Sequence, residues 1–119
     1  MQRDWELIRD ILTRIEALPD TRSKLLARNL PEWSAEAVNY HLRLMIEAGL
    51  IEGHCTSQPG GGMVCYATML TWKGHEFMDT VRSDTAWNRI KARLAEKSID
   101  LSFDAIVAAG QAVLGMLGG

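Results

Sequence analysis

The sequence predicts a mainly α-helical α+β fold, because a capped central helix runs directly into a β-hairpin and further helices follow. The central helix is expected to begin after Ser34, whose hydroxyl can accept a hydrogen bond from an unpaired amide of the first turn. Gly49 is expected to end it, since a residue in the left-handed conformation commonly closes a helix. Between them, apolar residues recur at helical spacing and predict one buried face. These residues are Val38, Leu42, Met45 and Ile46.

Two segments precede the central helix. Residues 4–18 predict an amphipathic helix that ends at Pro19, since proline cannot continue the backbone hydrogen-bond ladder. Residues 21–30 are ambiguous: they fit the short second helix of a helix-turn-helix, and an extended strand is the alternative. The stripe that the first helix is expected to bury consists of Ile8, Ile11, Leu12, Ile15 and Leu18.

A β-hairpin is predicted after the central helix. Residues 50–56 and 64–70 are expected to be its strands, and residues 57–62, S-Q-P-G-G-G, are typical of a flexible turn. A helix that ends in Ala-Gly-Leu-Ile and continues into a hairpin is typical of winged helix-turn-helix domains. The predicted fold is therefore a winged helix-turn-helix with a two-stranded hairpin as its wing and additional C-terminal helices.

The C-terminal part of the chain predicts three more helices. Two are expected at residues 72–82 and 84–96, and Ser102 can cap a third that runs to about residue 117. From Leu101 onward the only charged side chain is Asp104, so the last helix is apolar nearly all round. Such a helix is expected to be buried on more than one side.

The apolar last helix predicts a homodimer. A single domain of 119 residues has little interior left for this helix, and large exposed apolar patches mark contact sites. We therefore predict a winged helix-turn-helix at residues 1–97 and an association element of the same domain at residues 98–119. The alternative is a glycine-rich tail that packs once and frays at its end. The expected interface residues are Leu44, Ile106, Val107, Val113, Leu114 and Leu117.

Length and composition bound the class of protein. With 119 residues, 47% of them hydrophobic and 24% charged, the chain has the composition of one globular domain. A net charge of -2 argues against nonspecific coating of nucleic acid, but not against a local basic patch. No run reaches the roughly 18 apolar residues of a membrane span, and the N-terminus leads directly into an amphipathic helix. We expect a cytoplasmic protein without membrane contact.

The predicted fold directs attention to the exposed face of the central helix. Recognition helices read base edges with their N-terminal half, while nearby cations contact phosphates. Asn39 is expected to lie on the surface and pair with adenine, and Arg43 with guanine or a phosphate. An ordinary solvated helix face is the alternative. The candidate DNA-contacting residues are Arg22, Lys24, Arg28, Glu36, Asn39, Tyr40, Arg43 and Gln58.

The cysteines and histidines predict neither a metal site nor a catalytic site. Cys55 and Cys65 are placed symmetrically about the turn, so they are expected to face each other across the hairpin as a reduced, buried or half-buried pair. His54 points to the opposite face of its strand and cannot join them as a ligand. His41 and His75 are expected to be packed or capping imidazoles. Without a Ser/His/Asp order, a paired-carboxylate motif or a phosphate loop, neither an enzyme nor a cofactor is predicted.

Four sequence strings, taken in order, carry a family resemblance. They are R-D-W-E-L-I-R near the start, A-V-N-Y-H-L-R-L-M-I-E-A-G-L-I in the central helix, L-T-W-K-G-H-E-F-M-D-T-V-R after the hairpin, and S-D-T-A-W-N-R-I-K beyond it. Over about residues 3–115 the chain resembles domain of unknown function 2513, a family found in bacteria and their prophages. More distantly, it is similar to MarR-like and ArsR-like winged-helix regulators.

The family carries no established activity, so the resemblance supports the fold more than the function. From the predicted winged helix we expect a transcriptional regulator that binds double-stranded DNA and is phage-associated, and the apolar last helix predicts that it acts as a homodimer. Two features depart from the regulators. Leu44 and Ile46 stand where such proteins usually have polar residues, and the turn at residues 57–62 lacks their basic residues. These departures favour the alternative function, a winged-helix module that contacts a protein partner, for instance as an accessory or anti-repressor factor, without binding DNA.

Overall fold

The structure, a computed structural model, describes residues 1–117, with side chains as far as residue 115. It is an α+β protein in which the described residues form five α-helices and a three-stranded antiparallel sheet. The chain divides into two compact units, Met1–His75 and Glu76–Gly119, which are described separately.

The first unit contains the sheet and the N-terminal helices. Its core lies between the first two helices and one face of the sheet. The elements are α1 (Trp5–Glu16), β1 (Leu25–Leu26), a single 3-10 turn (Ala27–Asn29), α2 (Ala35–Glu47), β2 (Ile51–Ser57), β3 (Met63–Leu70) and the start of α3 (Trp72–Val81).

Helix α1 confirms the predicted N-terminal helix. Asp4 caps it, since its Oδ1 accepts hydrogen bonds from the amides of Glu6 and Leu7, at 2.9 and 3.4 Å. Leu18 lies past the end of the helix and is half-buried, so it does not belong to the buried stripe. That stripe consists of Leu7, Ile8, Ile11, Leu12 and Ile15.

Residues 21–30 do not form the expected second helix. Leu25 and Leu26 instead pair with Ala67 and Tyr66 of β3, so the extended alternative is correct for two residues, and one 3-10 turn follows. The physical reason is that the backbone amides and carbonyls on one edge of β3 would otherwise be unpaired. A short extended segment can bond to them, whereas a helical turn cannot. The Asn29 Oδ1 then accepts the amide of Leu26 at 2.8 Å and stabilises the turn.

Helix α2 confirms the central prediction at both ends. The Ser34 hydroxyl accepts the amide of Ala37 at 3.1 Å, and Gly49 has a φ of 75°. The amide of Leu50 bonds to the carbonyl of Met45 at 3.0 Å, which leads the chain from the helix directly into β2.

The hairpin β2–β3 follows, and the strand order β1-β3-β2 places β3 in the centre of the sheet. Its turn is closed by a hydrogen bond from the amide of Gln58 to the carbonyl of Gly62, at 3.1 Å. Three successive glycines there have positive φ, a conformation that other residues adopt only at a cost. They are Gly60, Gly61 and Gly62.

The cysteine prediction is correct in register and wrong in chemistry. Cys55 and Cys65 are direct partners across the hairpin, as expected, but they form a disulfide and are not a reduced pair. Their Cα atoms lie 4.0 Å apart, which identifies a non-hydrogen-bonded pair, the position in an antiparallel ladder where side chains approach most closely. The sequence prediction relied on the expected compartment, whereas the local geometry favours the bond.

The second unit is built from helices. After the end of α3 come α4 (Asp84–Glu96) and α5 (Phe103–Leu117), as predicted. The Ser83 and Ser102 hydroxyls cap them by accepting the amides of Ala86 and Ala105, at 2.9 and 3.2 Å. The two helices pack against each other and bury Trp87, Ile90, Leu94, Ile106, Ala109 and Val113. None of the helices within residues 1–117 is long and apolar enough to cross a membrane.

Candidate nucleic-acid interface

The solvent face of α2 carries opposite charges that compensate each other. Arg43 is exposed, and its Nε donates to the Oε1 of Glu47 at 3.1 Å, while a terminal nitrogen lies 3.7 Å from the sulfur of Met63. Glu36 is exposed in the first turn, and Tyr40 is half-buried. This face therefore has no cation that is free of a carboxylate.

Asn39 lies inside the protein and not on the surface as expected. It is 9% exposed, and its Oδ1 accepts the backbone amide of Cys65 at 2.9 Å. Cys65 lies beyond the two β3 residues with which β1 pairs, and its amide points away from β2 because the Cys55–Cys65 pair is not hydrogen-bonded. The side chain of Asn39 thus accepts the hydrogen bond that a longer β1 would otherwise accept. This position is unavailable for reading a base.

His41 is a packed imidazole, as predicted. It is buried, its Nε2 accepts the backbone amide of Asp4 at 2.8 Å, and its Nδ1 lies 2.8 Å from the carbonyl oxygen of Ala37. These two bonds require the neutral ring with its proton on Nδ1. Because Asp4 caps α1, His41 connects α2 to the start of the first helix.

Three basic side chains lie on the segment that enters and leaves β1. Arg22, Lys24 and Arg28 are exposed, and in the described part of the chain none of them pairs with a carboxylate. The Lys24 ammonium lies 4.3 Å from the centroid of the Tyr66 ring, which fixes its position by a cation–π contact. We call these residues the basic strip.

The turn before the basic strip is held by Asp20. Its Oδ1 accepts the amides of Arg22 and Ser23, at 2.9 and 2.7 Å, and the Ser23 hydroxyl at 2.9 Å. These donors, the Ser23 hydroxyl first among them, lower the pKa of the Asp20 carboxyl. The backbone that carries Arg22 is therefore ordered.

A polar cluster between α1 and the segment before α2 is absent from the sequence prediction. Trp33 Nε1 donates to Asp10 at 3.0 Å, and Arg14 bonds to Asp10 at 3.0 Å, to the carbonyl of Asn29 at 2.8 Å and to Glu32. Bonding to Asp10 raises the pKa of the Arg14 guanidinium. The four-residue spacing of Asp10 and Arg14 is the one signal that could have predicted part of it. The charge of Arg14 is therefore compensated by Asp10 and Glu32.

The remaining predicted residues divide between surface and interior. Gln58 is exposed at the hairpin turn. Of the expected dimer contacts, Ile106 and Val113 are buried inside the second unit, so they are not free to contact a partner. Leu44 and Val107 are half-buried and Leu114 is 42% exposed, while the side chain of Leu117 lies outside the described residues. Among the described residues, no three His, Cys, Asp or Glu side chains form a group that could hold a metal ion.

The arrangement defines a class of small α+β protein, in which a helix capped at both ends leads into a disulfide-linked hairpin. The chain belongs to the family described as "Hypothetical protein (DUF2513)", which matches residues 2–100. It is 40% identical over 117 residues to an "Uncharacterized protein" of Haemophilus influenzae, and the alignment covers 98% of each chain. No solved structure matches this chain. The resemblance to domain of unknown function 2513 that was predicted from the four sequence strings is confirmed.

Proposed function

We propose that this protein is a winged-helix DNA-binding protein of gene regulation, associated with phage or prophage genes and acting as a homodimer without catalytic activity. The order α1, β1, turn, α2, β2, β3 and the sheet order β1-β3-β2 support the winged helix. Helix α2 takes the position of the recognition helix, the hairpin is the wing, and the 3-10 turn stands where a second helix is usual.

The basic strip is the observation that carries the proposal. Three exposed cations that have no carboxylate partner in the described part of the chain lie within seven residues, although the net charge is -2. Cations of this kind contact phosphates and gain affinity by releasing counterions from the duplex. We therefore assign Arg22, Lys24 and Arg28 to the phosphate backbone.

Base reading falls to a smaller set than the sequence predicts. Asn39 is excluded by its bond to Cys65. Arg43 can reach guanine only by leaving Glu47, and Glu36 can accept from the amino group of cytosine. Tyr40 and Gln58 complete the proposed contacts. We therefore expect affinity to depend mainly on phosphates, with modest sequence selectivity.

A salt titration on duplex fragments of the protein's own genome tests the proposal. The triple variant Arg22→Ala, Lys24→Ala, Arg28→Ala should weaken binding to all fragments and lower the slope of log affinity against log salt by about three, about one per lost contact. The matched control removes three cations from the other unit, Arg89→Ala, Arg93→Ala, Lys97→Ala, and should change neither quantity. The absence of binding to any fragment at low salt, or equal losses in the two triple variants, contradicts the proposal.

A protein partner is the second candidate function. Glu36 and the Arg43–Glu47 pair leave the face of α2 without net positive charge, and Trp72 is 82% exposed, which is unusual for so large an apolar side chain. If this function is correct, DNA is not retained at low salt. Trp72→Ser then abolishes partner binding, and the triple variant of the basic strip leaves partner binding intact.

A further inference from the structure

The two sulfur-bearing residues of the hairpin disulfide differ in their access to solvent. Cys65 lies on the central strand β3 and is 0% exposed. Cys55 lies on the edge strand β2 and is half-buried. A reagent that approaches the bond from solvent therefore meets Cys55 first. Partly exposed disulfides exchange with thiols more readily than enclosed ones.

The two ends of the bond also differ in how firmly the rest of the protein holds them. The amide of Cys65 is anchored to α2 by the Oδ1 of Asn39, at 2.9 Å. Cys55 has no such side-chain anchor among the described residues: β2 pairs with β3 on one side, packs against α2, and has no strand of residues 1–117 on its other side. Opening the bond would remove the covalent link of Cys55 to the central strand and leave Cys65 anchored to α2 through Asn39.

The segment enclosed by the bond is otherwise ordered mainly by the hydrogen bonds of the hairpin end itself. Residues 56–64 contain the three glycines with positive φ, and most of their side chains are exposed. Segments with few buried contacts open locally at low free energy. The disulfide closes this segment into a ring, which restricts its conformations.

We propose that Cys55–Cys65 is a thiol–disulfide exchange site, which a dithiol opens and an oxidised dithiol closes again while the protein stays folded. Opening increases the mobility of residues 55–65 and leaves α2 in place. This inference is independent of DNA binding and adds a site of covalent modification to the hairpin.

The exchange balances without any further reagent. A thiolate of the dithiol attacks the Sγ of Cys55, the S–S bond breaks, and Cys65 leaves as a thiolate that takes a proton from solvent. The second thiol of the dithiol then gives up its proton and attacks its partner sulfur in the mixed disulfide, so Cys55 leaves as a thiolate. The protein disulfide gains two electrons, and the dithiol becomes a cyclic or intramolecular disulfide.

Native-state reduction tests the proposal directly. Oxidised protein is treated with dithiothreitol in non-denaturing buffer, samples are alkylated with N-ethylmaleimide, and the modified cysteines are counted by mass. Both thiols should appear while the helical circular dichroism signal is unchanged, and amides of residues 56–64 should exchange at least about tenfold faster, as expected for a freed segment. Amides of α2 should keep their exchange rates. A bond that opens only as the helices unfold, or a hairpin whose exchange rates do not change, overturns the proposal.

The difference between the two sulfurs has its own test. With reduced glutathione, a monothiol, the first mixed disulfide should form on Cys55 and be recovered in the peptide of β2. Each single variant retains one thiol. The Cys55 thiol that remains in Cys65→Ser should react with Ellman's reagent at least about tenfold faster than the Cys65 thiol that remains in Cys55→Ser, because only Cys55 is accessible to solvent. The glutathione measurement uses the unaltered chain and decides the matter if either variant fails to fold. Equal labelling of the two positions overturns the assignment of Cys55 as the attacked sulfur.

Discussion

In residues 1–75, buried polar side chains bond from one element to the next, whereas apolar side chains join the helices described within residues 76–117. Asn39 connects α2 to β3, and His41 connects α2 to the start of α1. In the second unit, Phe77 and Phe103 stack with ring centroids 4.8 Å apart, and α5 buries Ile106 against its neighbours. Both units have an apolar core, and in the first unit buried hydrogen bonds from Asn39 and His41 add directional links between its elements.

This difference explains why residues that look functional in each unit serve to hold it together. In the first unit, Asn39 of the candidate recognition helix accepts a hydrogen bond from the backbone amide of Cys65, which has no strand partner. In the second, branched apolar residues of a candidate dimer helix fill the interior of the protomer. In the first unit, a polar residue type is therefore weak support for a DNA contact. In the second unit, an apolar residue type is equally weak support for a dimer interface.

The largest effect is expected from truncating the apolar core of the second unit. Ile106→Ala should lower the free energy of unfolding by about 2–5 kcal/mol, because the side chain is 0% exposed and its removal leaves a cavity. Leu114→Ala, on the same helix but 42% exposed, should cost less than about 1 kcal/mol. Urea unfolding followed by circular dichroism measures both. Equal costs would show that α5 is not packed on one side as described.

Sedimentation of the same two variants sharpens the comparison. If α5 also forms the dimer proposed above, Leu114→Ala should weaken association while leaving the unfolding of the protomer nearly unchanged. Ile106→Ala should act mainly on protomer stability. A full-length protein that sediments as a monomer at tens of micromolar would remove α5 as an association element.

The next effect concerns the polar anchor in the first unit. Asn39→Ala should cost about 1–3 kcal/mol, because the buried amide of Cys65 loses its acceptor. Arg43→Ala, on the exposed face of the same helix, should cost less than about 1 kcal/mol, since exposed ion pairs contribute little. Denaturant unfolding compares the two. A larger loss from Arg43 than from Asn39 would reverse our assignment of interior and surface on α2.

Much of the secondary structure could be predicted because its signals are local. Ser34 and Ser102 mark the starts of α2 and α5, and Gly49 marks the end of α2, because caps satisfy amides and carbonyls within a few residues. Strand β1 could not be predicted with the same means. Its two residues are extended because Tyr66 and Ala67, about forty positions later, present an unpaired edge.

The candidate site was less predictable because facing directions depend on long-range packing. The sequence shows that Asn39 lies next to the buried positions Val38 and Leu42 on the helix. It does not show that β1 ends before Cys65, so that the amide of Cys65 requires Asn39 as its acceptor. The register of Cys55 and Cys65 followed from symmetry about the turn. Their oxidation state did not, because residue spacing carries no information on thiol chemistry.

A smaller effect is expected at the second polar anchor of the first unit. His41→Leu keeps the volume of the ring but leaves the amide of Asp4 without its acceptor, so it should cost about 1–2 kcal/mol. The neighbouring change Tyr40→Phe should stay within about 0.5 kcal/mol, since Tyr40 is half-buried and lies outside this bond. The Asp4 amide should exchange faster with solvent in His41→Leu alone. Unchanged exchange at Asp4 would show that the bond contributes little to holding α1.

The smallest effect is expected at the surface turn of Asp20, where the polar anchors of the first unit reach solvent. The Ser23 hydroxyl and the amides of Arg22 and Ser23 lower the pKa of this carboxyl below its ordinary value of 3.8. Because the folded pKa is the lower one, the stabilisation is complete above the unfolded pKa and is lost as pH falls through the folded pKa. A carboxyl NMR titration should therefore show a midpoint below 3.8, and Ser23→Ala should move it upward by removing the first donor. Asp20→Asn should make the turn insensitive to pH in this acid range. A midpoint that Ser23→Ala leaves in place would mean that the turn does not persist in solution, and that directional bonding in the first unit is confined to its interior.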